Sequence, residues 1–106
     1  MPKYLIKVNY SPEGLRGIVK EGGTSRRDYV DKLLQNSGGT LESFYFAFGE
    51  NDAFLVCDLP DNVTGASIGL TVNSSGAVHL ETVALLTPEE VDEATRKTVD
   101  YRPPGA

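Results

Sequence analysis

Length and composition bound the protein before any motif is considered. A chain of 106 residues with 40% hydrophobic and 24% charged residues corresponds to one globular domain of ordinary composition. The net charge of −5, with Arg26-Arg27 as the only basic cluster, disfavours sequence-independent nucleic-acid binding. We expect neither a membrane span nor a secretory signal, because no apolar run approaches the roughly 20 residues that cross a bilayer. A single cysteine allows no internal disulfide and favours a cytoplasmic location.

The first strand and the two helices after it are predicted by local patterns. In residues 3–10 the aromatic and β-branched residues recur at every second position, which is typical of a strand with one buried face. Ser11-Pro12-Glu13 then provides an N-cap, a proline and an acid for the first turn of a short helix. We expect this helix to end at Gly22-Gly23 and a second helix to be capped by Thr24 or Ser25.

The rest of the chain is predicted to contain three strands and two helices. In chain order these are strands over residues 41–48 and 53–59, a helix over 62–73, a strand over 77–86 and a last helix that frays near Thr98. The polar connection between the first two strands has hairpin length. Asp61 caps the first of these helices, and Thr87-Pro88-Glu89-Glu90 is a complete capping box for the second.

This order predicts an α+β fold of the ferredoxin-like type. Two βαβ units joined by a hairpin give a four-stranded antiparallel sheet with helices on one face, here with an extra helix in the first half and another at the C-terminus. We expect a single domain over residues 1–100 and a short Pro/Gly tail over residues 101–106.

Alternation along the strands predicts which residues occupy the sheet face that no helix covers. The apolar ones are Leu5, Leu41, Phe54, Val56, Val83 and Leu85. The polar ones are Lys7, Asn9, Tyr45, Asp52, Asp58, His79 and Glu81. So much apolar surface is rarely left to water, and pairing two such faces would bury it and enclose the polar groups in a cavity. We therefore expect a homodimer with twofold symmetry.

A series of short motifs runs through nearly the whole chain. They are the opening 3–6, the segment 11–17, the Gly38-Gly39 turn, the aromatic run 44–49, Asp52, the step 59–61 and the strand 76–86. This series resembles the GYD domain family of small dimeric α+β barrel proteins. Asn51 stands where that family has the tyrosine of Gly-Tyr-Asp, and Asp58 stands where it usually has glutamate. The resemblance implies a dimeric barrel and no particular reaction.

Eight residues are candidates for the chemistry of this face. His79, the only histidine, is a candidate general base with Asp58, although an edge-strand histidine at a dimer contact is the alternative. Lys7 and Asn9 are candidate ligands for an anionic or carbonyl group, and the alternative for Lys7 is a pair with Glu81 or Asp58. The remaining candidate ligand-binding residues are Tyr45, Asp52, Phe54 and Glu81, with turn chemistry as the alternative for Asp52.

Metal and cofactor sites are not expected, because one histidine with scattered acids lacks the spacing of metal ligands. Cys57 is predicted to be an inert core residue on the helix-facing side.

Two classes of function remain open after these observations. In the first, the barrel transforms a small organic molecule by cofactor-independent acid–base chemistry. In the second, it is a non-catalytic ligand-binding or assembly module. The expected partners are a second copy of the chain and a small molecule, with neither nucleic acid nor membrane involved.

Overall fold

A four-stranded antiparallel sheet organises the protein. The structure is a computed structural model that describes all 106 residues. Its elements are β1 (Lys3–Tyr10), α1 (Pro12–Glu21), α2 (Gly23–Asn36), β2 (Thr40–Phe46), β3 (Ala53–Asp58), α3 (Asn62–Asn73), β4 (Val78–Leu85) and α4 (Pro88–Thr95). The strands lie in the order β2-β3-β1-β4. The predicted α+β class and the order of elements are confirmed. None of the four helices has the length and hydrophobicity of a membrane-spanning segment.

Strand β1 lies inside the sheet and contributes three of the eight buried core residues, as many as β3. Tyr4, Ile6 and Val8 are each only 3% exposed and join Leu34 of α2 in one buried cluster. The intervening side chains of Leu5 and Lys7 face the other way and are half-buried. The period-two pattern therefore assigned the two faces of β1 correctly.

Side-chain caps begin two of the helices that cover the core. Ser11 Oγ accepts a hydrogen bond from the Gly14 amide at 3.1 Å, and Asp61 Oδ1 accepts one from the Thr64 amide at 2.8 Å. Both predicted caps are confirmed.

The start of α2 differs from the prediction. This helix follows Gly22 directly and has no side-chain cap, so the expected cap at Thr24 or Ser25 is wrong. Gly22 has φ 87°, a backbone conformation that favours glycine, and this one residue separates α1 from α2. Thr24 and Ser25 already lie inside the first turn of α2.

A β-bulge in β2 moves Leu41 to the helix-facing side. Leu41 is opposite Cys57, whereas Ser43 is opposite Val56, so Glu42 is an extra residue on β2. Leu41 packs against the buried core, and its predicted place on the uncovered face is wrong. Alternation cannot reveal such a shift, because one inserted residue exchanges the two faces of a strand.

Cys57 is a buried core residue, as predicted. Its side chain is fully inaccessible, and burial raises the pKa of the thiol to about 11. The thiol is therefore protonated and unreactive at neutral pH.

The capping box of α4 is present in full. Thr87 Oγ1 accepts a hydrogen bond from the Glu90 amide at 3.1 Å, and Glu90 Oε1 accepts one from the Thr87 amide at 2.9 Å. The helix ends at Thr95, three residues before the predicted fraying point at Thr98.

We predict that Thr87→Ala lowers the stability of α4 by about 1 kcal/mol, because it leaves the Glu90 amide without its acceptor. Helical Cα chemical shifts over residues 88–95 would decrease. Thr87→Ser keeps the hydroxyl and is the matched control. Unchanged shifts in Thr87→Ala would contradict this account of the helix start.

Candidate functional site

The sheet face turned away from α1, α2 and α3, here called the open face, carries its side chains in four rows across the strands. We name them the ion-pair row (Thr40, Asp58, Lys3, Leu85), the apolar row (Ser43, Val56, Leu5, Val83), the lysine row (Tyr45, Phe54, Lys7, Glu81) and the histidine row (Asp52, Asn9, His79). Side chains directly opposite each other on neighbouring strands have Cβ atoms about 5 Å apart. Each row is therefore a line of neighbouring side chains across the sheet.

The polar side chains of the ion-pair row bond to one another and to Glu42 at one end of the sheet. Lys3 Nζ lies 3.1 Å from Asp58 Oδ1 and 3.1 Å from Glu42 Oε1. The hydrogen bond to Asp58, and to a lesser extent the one to Glu42, raises the pKa of the Lys3 ammonium. Thr40 Oγ1 donates a further hydrogen bond to Asp58 at 3.4 Å. Asp58 is thus engaged within the protomer.

The apolar row separates this cluster from the other polar groups. Leu5 is flanked by Val56 on β3 and Val83 on β4, and all three side chains are half-buried within the protomer. The row is a hydrophobic band across the middle of the open face.

The lysine row contains a cation without an ionic partner. Lys7 lies between Phe54 on β3 and Glu81 on β4, yet no carboxylate oxygen lies within 4.0 Å of its ammonium. The alternative prediction, a pair between Lys7 and Glu81 or Asp58, is therefore not observed. Tyr45 lies beyond Phe54 and is 72% exposed.

The histidine row combines one exposed imidazole with two residues that hold the backbone. His79 lies opposite Asn9 at the edge of the sheet. Asn9 Oδ1 accepts a hydrogen bond from the Asp52 amide at 3.2 Å, and Asp52 Oδ2 accepts one from the Tyr10 amide at 2.8 Å. Asn9 and Asp52 therefore have structural partners, as the turn alternative for Asp52 predicts, whereas the His79 imidazole has none.

Seven of the eight candidate residues lie in the adjacent lysine and histidine rows, and Asp58 does not. Asp58 is opposite Lys3 and His79 is opposite Asn9, six residues further along β1. At about 3.3 Å per residue this separates them by about 20 Å, so Asp58 cannot orient His79 within one protomer.

Lys3, the ionic partner of Asp58, is a residue of this face that is not among the sequence-based candidates. Its position two residues before Leu5 and four before Lys7 places it on the same face of β1. No three His, Cys, Asp or Glu side chains cluster as metal ligands would.

A separate cavity of about 50 Å³ lies between the sheet and the helices. Its lining is hydrophobic except for Arg26, whose guanidinium lies 5.2 Å from the centroid of the Tyr29 ring. Burial raises the pKa of Tyr10 at its mouth, against the opposing effect of Arg26. The lining of this cavity contains no carboxylate and no imidazole, so the open face is the better candidate for acid–base chemistry.

We predict that Asp52→Ala destabilises the protein by about 1–3 kcal/mol, because the Tyr10 amide loses its acceptor in a half-buried position. Urea unfolding measures the change. Glu50→Ala, in the same connection but exposed, is the matched control and should have little effect. Equal stability of the two variants would show that the Asp52 hydrogen bonds do not hold the end of the sheet.

Comparison with known proteins adds a family to this geometry. Comparison with curated proteins gives no significant match. The sequence profile of the GYD domain matches residues 4–95 of the 106-residue chain, from β1 to the end of α4. The match includes all four rows of the open face except Lys3. The chain therefore belongs to the GYD domain family.

Proposed function

We propose that two protomers pack through their open faces into a dimeric α+β barrel that binds a small organic molecule and transforms it by cofactor-independent acid–base chemistry. The chain has one free cysteine and therefore no internal disulfide, which favours the cytoplasm as the location of the protein. The observation that carries the proposal is the unpaired Lys7 of the lysine row, with His79 beside it in the next row.

The strand order supports a ferredoxin-like protomer. A sheet ordered β2-β3-β1-β4 follows from two βαβ units whose first strands, β1 and β3, are paired at the centre. With α1, α2 and α3 on one side, the other side is left for a second sheet, which would lie about 10 Å away.

The apolar row supports dimerisation through this face. Leu5, Val56 and Val83 form a continuous band, and its twofold copy is self-complementary in the way that symmetric interfaces require. Burying the band in the dimer would also remove the lysine and histidine rows from bulk water.

The lysine and histidine rows support the binding of an anion that carries a ring. The Lys7 ammonium is free to bind a carboxylate or an enolate oxygen, and Phe54 and Tyr45 extend an aromatic surface from it. His79 is the diagonal neighbour of Lys7 on the adjacent strand. Residues in this relation are about 7–8 Å apart, which is the span of a small molecule.

A proton-transfer step follows from this arrangement. With a carbonyl oxygen of the ligand on Lys7, the His79 imidazole takes a proton from the α-carbon. The C–H electron pair forms the C=C bond of an enolate, and the carbonyl π pair moves to the oxygen, where the ammonium stabilises the charge. The imidazolium then returns a proton to the carbon or to another atom of the ligand. Glu81, opposite Lys7, is the second group in reach that can accept the proton.

We predict that the protein sediments as a dimer at micromolar concentration, with twice the 11.5 kDa mass of the chain, and that Val83→Lys converts it to a monomer. A lysine in the apolar row would bury an unpaired charge in the proposed interface and weaken association by more than about 100-fold. Val19→Lys, on an exposed position of α1, is the matched control. A wild-type mass of one chain would contradict the proposed dimer.

We predict that the protein binds phenylpyruvate, used as a probe because it combines a ring, a carboxylate and an acidic C–H. Lys7→Met would weaken binding at least about tenfold, since it removes a charge-assisted hydrogen bond. The His79 imidazole resonances would shift on addition of the probe, while Lys32→Met, exposed on α2, would bind normally.

Catalysis is tested by exchange of the benzylic protons of the probe in D₂O. His79→Gln is expected to retain binding and to lose the exchange that the wild type accelerates. Binding without any accelerated exchange would favour the non-catalytic binding module. The absence of saturable binding, with equal behaviour of wild type and Lys7→Met, would contradict the site.

A further inference from the structure

The last 21 residues leave the body of the protomer. This segment, 86–106, is here called the arm; it contains α4, and every residue in it is exposed. The protomer measures 56 × 33 × 23 Å, and its radius of gyration of 16.9 Å exceeds the roughly 13 Å of a compact chain of this length. No extensive packing joins α4 to any other helix or strand.

Such an arm needs a surface to pack against. A helix of eight residues is marginal in water without tertiary packing, even with a full capping box. The arm nevertheless exposes Leu86 (65%), Val91 (46%), Val99 (80%) and Tyr101 (71%). These side chains would be buried only by another surface.

A matching surface lies on α3. This helix has no charged residue, and its polar residues are asparagine, serine and threonine. Val63, Ala66 and Leu70 form an outward stripe, in which Val63 is 78% and Leu70 is 74% exposed. Beside the stripe, an open groove of about 530 Å³ runs between α3 and β4, with Gly69, Thr82 and Ala84 in its walls.

The groove follows a free strand edge. Strand β4 pairs only with β1, so its outer edge has unpaired backbone groups. At Leu80 this edge is closed, because the Asn73 side chain accepts from the Leu80 amide at 2.6 Å and donates to its carbonyl at 3.3 Å. Thr82 and Ala84, the next residues whose backbone faces outward, have no such cover.

We propose that the arm of each protomer docks on its partner, with Val99 and Tyr101 in the α3–β4 groove and the tail along the free edge of β4 beyond Leu80. Alternate residues of an extended segment point to one side, so Val99 and Tyr101 enter the groove while Asp100 and Arg102 face solvent.

A second copy of the chain is the occupant that fits, and the inference rests on the proposed dimer. The arm begins at Leu86, directly after Leu85 of the open face, so the proposed sheet interface leads into it. Twofold symmetry gives each arm one groove and leaves neither unused. The reach is sufficient: α4 spans about 12 Å and the residues between it and Val99 add about 10 Å. Together they exceed the roughly 10 Å between packed sheets by about 12 Å, which is the length left for passing the edge of the partner's sheet to its helix-facing side.

The test is an intermolecular paramagnetic measurement on the full-length chain. Asp100→Cys is spin-labelled selectively, because Cys57 is buried, and is mixed with isotope-labelled wild-type protein. We expect strong broadening of the Leu70, Thr82 and Ala84 amides in the mixed dimers, which disappears when the label is reduced. Val99→Asp combined with Tyr101→Ser should abolish the broadening and weaken dimerisation at least about tenfold, whereas Val19→Asp should do neither.

The outcomes separate this inference from the dimer itself. A dimeric mass without broadening at the groove would overturn arm docking and leave the open-face dimer intact. Broadening elsewhere on the partner would overturn the assigned groove. A monomeric mass would overturn both.

Discussion

The strict alternation of β1 is the constraint on which the rest of the structure depends. This strand pairs with β3 on one side and β4 on the other, so its register sets the face of every neighbouring side chain. Tyr4, Ile6 and Val8 are held in the core, and Leu5 and Lys7 are thereby committed to the open face. A slip of one residue would exchange core and site together, which burial of the core makes costly.

The features that sequence could predict are those governed by short-range rules. The order of elements, the caps at Ser11, Asp61 and Thr87 and the two faces of β1 follow from period-two alternation and from side chains that hydrogen-bond three residues away. Seven of the candidate site residues fall together because they share a face and a register. Their grouping into rows needed the strand order, which the βαβ pattern implied.

The features that sequence missed depend on longer-range or singular geometry. Leu41 changed faces because one extra residue bulges from β2, which no alternation pattern records. The prediction of a cap at Thr24 or Ser25 is wrong because a positive φ at Gly22 lets α2 start before Thr24. Asp58 and His79 share a face but lie at opposite ends of the sheet. Alternation predicts the face of a residue and does not show which residues of neighbouring strands lie at the same height.

The central claim is that the open face is buried between two protomers and encloses the lysine row. It is tested most directly by the solvent accessibility of methyl groups, measured as relaxation enhancement by a soluble paramagnetic agent. The account predicts that Leu5, Val56 and Val83, half-exposed within the protomer, are protected nearly as well as the core residues Ile6 and Val8. Enhancement of these three methyl sets comparable to that of exposed Val19 would contradict it.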